Sequence, residues 1–225
     1  LIGTHAGPAP QAGQLPGYAR AADATREAAG TSHFVVMDTA GNVVSMTTTV
    51  ESVFGSGRMV DGFVLNNQLT DFSFVPRDQH GLVANRVQGG KRPRSSMAPT
   101  IVLREGRPFL AVGSPGGASI ITTVLQILFD RLDLAMSLPD AIAAPRISQR
   151  DSSATQAESA FLASPLDPAL TKLGQSFVPA PPVFTAAPEI GAATGLEFLG
   201  HGQVLAAAEP TRRFGGSAMV VDPGR

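Results

Sequence analysis

The sequence predicts an α+β fold with a mostly antiparallel sheet. Three observations carry that expectation: paired apolar, β-branched runs, turn residues between them, and one long helical apolar period. In the first pair, Phe34-Val35-Val36-Met37 and Val43-Val44-Ser45-Met46-Thr47-Thr48-Thr49-Val50 flank Ala40-Gly41-Asn42 and read as a hairpin. Phe63-Val64-Leu65 reads as a further strand ending at Asn66-Asn67. Residues 73–95 are polar and hold Pro76, Gly81, Gly89, Gly90 and Pro93, which predicts a long surface loop. Residues 100–103 and 108–112, split by Glu105-Gly106, read as a second hairpin. After Gly113-Ser114-Pro115-Gly116-Gly117, apolar residues at 120, 121, 124, 125, 128 and 129 predict a helix over 118–132. Ser137 and Asp140 have capping-box spacing at the start of a second helix. Past about residue 150 the pattern weakens, with a break at Pro179-Ala180-Pro181-Pro182 and a closing strand expected over 217–221.

Residues 1–30 hold nine Ala, five Gly and three Pro without a sustained apolar period. They read as a linker or loosely packed tail whose only helical hint lies over 19–29. Across the 225 residues, 43% are hydrophobic and 16% charged, which excludes an intrinsically disordered chain. Seventeen Lys and Arg against eighteen Asp and Glu leave a net charge of −1, so no global field attracts nucleic acid or anionic membrane. The absence of cysteine removes disulfides, thiol catalysis and cysteine metal sites together. No apolar run reaches the length of about 18 residues that spans a bilayer. Leu1 rather than Met opens the sequence, which is expected to begin partway through a longer product.

Candidate chemistry is narrowed by what the motifs lack. Lys91-Arg92-Pro93-Arg94 is too short, and too poor in aromatics, for a nucleic-acid patch. His5, His33, His80 and His201 are scattered, so neither a metal site nor any other cofactor is expected. No G-x-S-x-G elbow is present. Gly113-Ser114-Pro115-Gly116-Gly117 lacks the Lys-Ser/Thr of a phosphate loop; on its own it reads first as a tight turn, and second as backbone N–H groups aimed at an oxyanion. Thr31-Ser32-His33 opens the first strand. It is either simply a strand start, or, after cleavage before Thr31, a threonine whose own α-amine serves as base for its hydroxyl.

These blocks, taken in order, resemble the small subunit of γ-glutamyltranspeptidases. The resemblance rests on Thr31-Ser32-His33-Phe34-Val35-Val36-Met37-Asp38, Gly41-Asn42, Thr47-Thr48-Thr49, Phe54-Gly55-Ser56-Gly57 and Leu65-Asn66-Asn67-Gln68-Leu69-Thr70-Asp71-Phe72. It continues through Lys91-Arg92-Pro93-Arg94-Ser95-Ser96-Met97-Ala98-Pro99-Thr100, Gly113-Ser114-Pro115-Gly116-Gly117 and Ala144-Pro145-Arg146, and weakens from residue 148. It implies the N-terminal-nucleophile hydrolase fold, a four-layer αββα sandwich with two mostly antiparallel sheets between helical layers. Residues 1–30 are then the tail of a large subunit before the processing site, and 31–225 the catalytic small-subunit portion. Thr31 would cut the Gly30–Thr31 bond and then attack γ-glutamyl amides, with water or an amino acid as acceptor. Thr49 would bond the Thr31 hydroxyl and amine, and Gly116 and Gly117 would form the oxyanion hole. Ser95 and Ser96 would meet the donor α-carboxylate, and Glu51, Gln68 and Asp71 its α-ammonium. The implied partner is the large subunit of the same precursor, and the implied location periplasmic or extracellular.

The sequence departs from the family pattern in places. Glu51 stands where many members carry asparagine, although one bacterial branch has glutamate. Ser32 replaces a more usual threonine, and the loop from Ser73 to Gly90 has no tyrosine, the only one being Tyr18. Two alternatives stay open at this point: a glutaryl-cephalosporin acylase of the same family, and an unprocessed fragment that does no chemistry without its large subunit.

Overall fold

The computed structural model describes residues 30–182 and 187–221. Strands β1 (Gly30–Met37) and β2 (Val43–Glu51) form the first expected hairpin. Its turn is set by Asp38, whose Oδ1 accepts from the N–H groups of Ala40 (2.9 Å) and Asn42 (2.8 Å). Alternation then divides the hairpin into two faces. Thr31, His33 and Val35 lie opposite Thr49, Thr47 and Ser45 on the inward face. Phe34, Val36, Val44 and Met46 point outward and are each at least 41% exposed.

The second expected hairpin is β3 (Thr100–Arg104) and β4 (Arg107–Gly113). It joins two later strands, β8 (Thr194–Gly200) and β9 (Gln203–Ala208), in an antiparallel sheet of order β9-β8-β4-β3. Residues 109–113 of β4 are all buried because both faces are covered. On one side the inward face of the first hairpin packs, with Ser45 Oγ donating to the Val112 carbonyl at 3.4 Å. On the other side lie α1 (Ile120–Leu132) and α2 (Leu138–Ala143). Leu110, Val112, Ile120, Val124, Ile127, Leu138 and Ile142 make one continuous core there, each worth about 1.5–3 kcal/mol of burial. α2 starts as expected, with Ser137 accepting from the Asp140 N–H at 3.3 Å.

A third, small sheet follows: β5 (Ile147–Ser148), β6 (Thr155–Ala157) and β7 (Phe177–Pro179), with α3 (Ser159–Leu162) and α4 (Leu166–Thr171) between the last two. Where this region meets the main sheet, four charges are buried together. Arg146 Nη2 pairs with Glu209 at 3.0 Å, and Arg212 pairs with Glu158 at 2.6 Å and Glu209 at 2.9 Å. Two cations and two anions balance, and backbone groups add to the set: Arg146 donates to the Ile190 carbonyl at 2.8 Å, and Glu158 accepts from the Ile190 N–H at 2.8 Å. Burial pulls the Arg146 pKa down to about 10, which still leaves it charged at neutral pH. Burial also opposes the charge of Arg212, but Glu158 and Glu209 outweigh it and raise its pKa.

Several expectations are corrected. The helix over 118–132 begins as a 3-10 turn at Gly117–Ser119 and becomes α-helical only at Ile120. The strand at 63–65 is two residues long and pairs with Met59–Val60, and the 73–95 loop carries a short ribbon of Arg77–Asp78 with Gly81–Leu82. No strand forms over 217–221; those residues are exposed, and the main sheet is closed instead by β8 and β9. Among the described residues the layers are hairpin, four-stranded sheet and helices, so a mixed α and β fold is established at that level. The helical hint at 19–29 lies outside the described residues.

Candidate active site

Thr31 is the second residue of β1, and the ladder shifts just before it: Gly30 opposes Glu51, whereas Thr31 opposes Thr49. The extra residue on β2 is a bulge, and Glu51 beyond it adopts φ 73 with its side chain buried. This local geometry makes the Thr49 hydroxyl a junction. It accepts from the Thr31 hydroxyl at 3.2 Å and from the Glu51 N–H at 2.7 Å, and it donates to the Gly30 carbonyl at 2.8 Å. Gly30 leaves no room for a side chain, since a Cβ there would lie 2.6 Å from the Glu51 carbonyl oxygen.

A cavity opens at this junction. Its lining brings together Thr31, Thr49, Glu51, Gln68, Asp71, Ser95, Ser96 and Gly117, all of them singled out from sequence. Gly116 precedes Gly117 in the turn, with φ 144. The sequence reading did not single out Met97 and Ile120, which also face the cavity, and gave Arg94 no place in it. Arg94 is steered there by Asn85, which accepts from the Arg94 N–H at 3.0 Å and donates to the Asp71 carbonyl at 2.7 Å. Lys91, from the same basic stretch, donates to backbone carbonyls of Ala84 and Arg86, so its role is to fold the loop back.

The carboxylates are more tightly held than two groups simply flanking a vacant position. Glu51 Oε2 accepts from the Ser52 hydroxyl at 2.7 Å and from the Asn67 amide, and Asp71 Oδ2 accepts from the Gln68 amide. Asn67 was legible only as part of a block; its side-chain Oδ1 also accepts from the Ser52 N–H at 3.0 Å, so it anchors the turn after β2. His33, two residues beyond Thr31 on the inward face, bonds Thr47 Oγ1 at 2.8 Å and packs against the backbone of Gly113. Burial pushes its pKa down to about 4, so the imidazole is neutral at pH 7. No group of three metal-ligating side chains occurs among the described residues, and no helix among them is long and apolar enough to cross a membrane.

A hydroxyl at a strand start, bonded through a second hydroxyl to the carbonyl before it, thus shares a cavity with a Gly-rich turn. The chain belongs to the gamma-glutamyltranspeptidase family, whose model matches residues 4–220. It is 51% identical over 119 residues to the glutathione hydrolase proenzyme of Bacillus subtilis (strain 168), covering 52% of this chain and 19% of that protein. The glutathione hydrolase proenzyme of Pseudomonas sp. (strain A14) is 36% identical over 200 residues, covering 84% of this chain and 35% of that protein. Among solved structures, gamma-glutamyltranspeptidase from Pseudomonas nitroreducens superposes with a TM-score of 0.71 at 31% identity, covering 84% of this chain and 99% of that one. The chain thus spans between about a fifth and about a third of these two curated relatives.

Proposed function

We propose that this chain is the catalytic portion of a γ-glutamyl amide hydrolase and transpeptidase that cuts itself at Gly30–Thr31. The observation that carries it is the Thr31–Thr49–Gly30 junction, set in a cavity whose other walls offer hydroxyls, amides and carboxylates. In the uncut chain the Thr31 oxygen attacks the Gly30 carbonyl carbon, while the Thr49 hydroxyl bonds the carbonyl oxygen as it gains charge. The C–N bond breaks, the hydroxyl proton ends on the Thr31 nitrogen, and water hydrolyses the resulting ester. The freed α-amine titrates near about 8 in model peptides and becomes the base for the same hydroxyl. Thr31 then attacks the γ-carbonyl of a donor, with the N–H groups of Gly116 and Gly117 facing the oxyanion. The leaving amine takes the proton, and water or an amino-acid amine resolves the acyl ester. Ser95 and Ser96 meet the donor α-carboxylate, and Gln68, Asp71 and Glu51 its α-ammonium.

Residues 1–30 are on this reading the end of a large subunit and 31–225 the small subunit. That large subunit is the partner, and it completes the four-layer sandwich of the N-terminal-nucleophile hydrolases. The outward apolar faces of the first hairpin and of α1 (Ile121, Leu125 and Phe129, each at least 51% exposed) fit such a covering layer. On the same reading the protein works in the periplasm or outside the cell.

Gly30→Ala is expected to slow self-cleavage by about 10²-fold, because the added Cβ meets rigid backbone and moves the carbonyl out of line. A time course of precursor loss on denaturing gels measures this, and an unchanged rate would show that the junction is not the cutting geometry. Substrate choice tests the activity itself. A γ-glutamyl donor brings an ammonium to Asp71 and Glu51, whereas a glutaryl donor brings only hydrogen. Each charge-assisted bond is worth about 1.5–3 kcal/mol, so kcat/KM on the full-length processed protein should favour γ-glutamyl over glutaryl anilide by about 10²–10³. Equal values, or a glutaryl preference, would point to an acylase instead.

A further inference from the structure

We infer that Ser114 and Ser119 are positioning residues: their hydroxyls hold the two peptide planes whose N–H groups form the oxyanion hole. The inference rests on the proposed function and deepens it. The Pro115–Gly116 peptide carries the Gly116 N–H, and its carbonyl accepts from the Ser114 hydroxyl at 2.6 Å. The Gly116–Gly117 peptide carries the Gly117 N–H, and its carbonyl accepts from the Ser119 hydroxyl at 2.8 Å and from the Ser119 N–H at 3.2 Å. A trans peptide is planar with N–H and C=O on opposite sides, so tethering each carbonyl fixes where each N–H points.

Such tethers are needed here because the two residues are the most freely rotating pair the chain can offer. Gly116 sits at φ 144 and Gly117 at φ 56, a region open to glycine at little cost. Untethered, either plane can turn its N–H away from the site. The 3-10 turn that starts at Gly117 has no side-chain cap of its own, so the serines are the side-chain restraints on these planes.

Ser114 is itself aimed from far along the chain. It is fully buried, and its Oγ accepts from the Ala192 N–H at 2.9 Å, which leaves its proton directed at Pro115. Gly191 packs so closely that a Cβ there would lie 2.7 Å from Ser114 Oγ. Ile190, two residues before Ala192, is held on both backbone groups by Arg146 and Glu158. The buried ion cluster therefore fixes the segment that fixes Ser114, and Ser114 fixes the peptide that presents the Gly116 N–H.

The test uses the full-length protein carrying Ser114→Ala, Ser119→Ala, or both, with a γ-glutamyl anilide as donor. Wild type is read first: absence of turnover there would overturn the proposed function rather than this inference. Given wild-type turnover, each single variant should lose about 10-fold in kcat and the double variant about 10²-fold, with KM unchanged within about twofold. A boronate analogue of the γ-glutamyl group, tetrahedral and anionic when bound to Thr31, should lose affinity in step with kcat. Free glutamate, which makes no oxyanion, should bind as before. Ser119→Thr keeps a hydroxyl and should restore most of the rate. Ser114 is buried, so if Ser114→Ala does not fold, half-exposed Ser119 carries the test alone. Unchanged kcat in Ser119→Ala, or boronate and glutamate weakened alike, would overturn the inference.

Discussion

Thr31→Ala should leave the precursor uncut and donor turnover reduced by at least about 10⁴-fold, because one hydroxyl starts both reactions. The fold should survive the change. Thr31 is half-buried, its hydroxyl bonds Thr49 alone among the described residues, and Thr49 keeps its own bonds to Gly30 and Glu51. Thr31→Ser is the informative companion, since it keeps the nucleophile and loses only the methyl group; it should cut slowly and turn over measurably. Mass spectrometry of the purified protein reports the cut, and anilide release reports turnover. Clear turnover by Thr31→Ala protein would remove Thr31 from the chemistry.

Arg146→Ala should destabilise the protein by about 3–5 kcal/mol, read as a lowered denaturant midpoint of the full-length protein. Arg146 is fully buried, and its removal leaves Glu158 and Glu209 to share the single cation of Arg212. The carbonyls of Ile142 and Ile190 lose a donor at the same time. Arg146→Lys should recover only part of the loss, since an ammonium cannot reach Ile190, Ile142 and Glu209 with the fixed fork of a guanidinium. A loss below about 1 kcal/mol would mean that water or a rearranged Arg212 takes over the site.

The part of this fold that was legible in sequence is the part whose signals are local. β1 and β2 announce themselves by β-branched runs around an Asp38-to-Asn42 turn, and α2 by Ser137 three residues before Asp140. Hairpin pairing places Thr31 beside Thr49, a neighbour that the sequence offered only through the family resemblance. β8 and β9 were missed because Thr194–Gly200 is rich in Gly and buried through its centre, so it shows neither clean alternation nor a helical period. Residues 217–221 looked like a strand from composition, yet they are exposed and pair with no strand among the described residues. The tether from Ala192 to Ser114 joins positions 78 apart, and only the folded chain brings them together. Glu51 was read as a carboxylate available to a ligand; its bonds to Ser52 and Asn67 depend on a bulge that sequence spacing does not reveal.

That bulge sets a condition on time as well as on shape. Thr49 reaches the Gly30 carbonyl only when β1 and β2 are paired in one register, and a slip of one residue turns Thr49 to the opposite face. If Thr31 cuts its own chain there, the cut waits for the hairpin to form correctly and then cannot be undone. Each severed molecule is a permanent record that its hairpin once passed through the right pairing. The fraction cut against time therefore works as a clock on the maturation of this strand pair, readable long after the event on a denaturing gel.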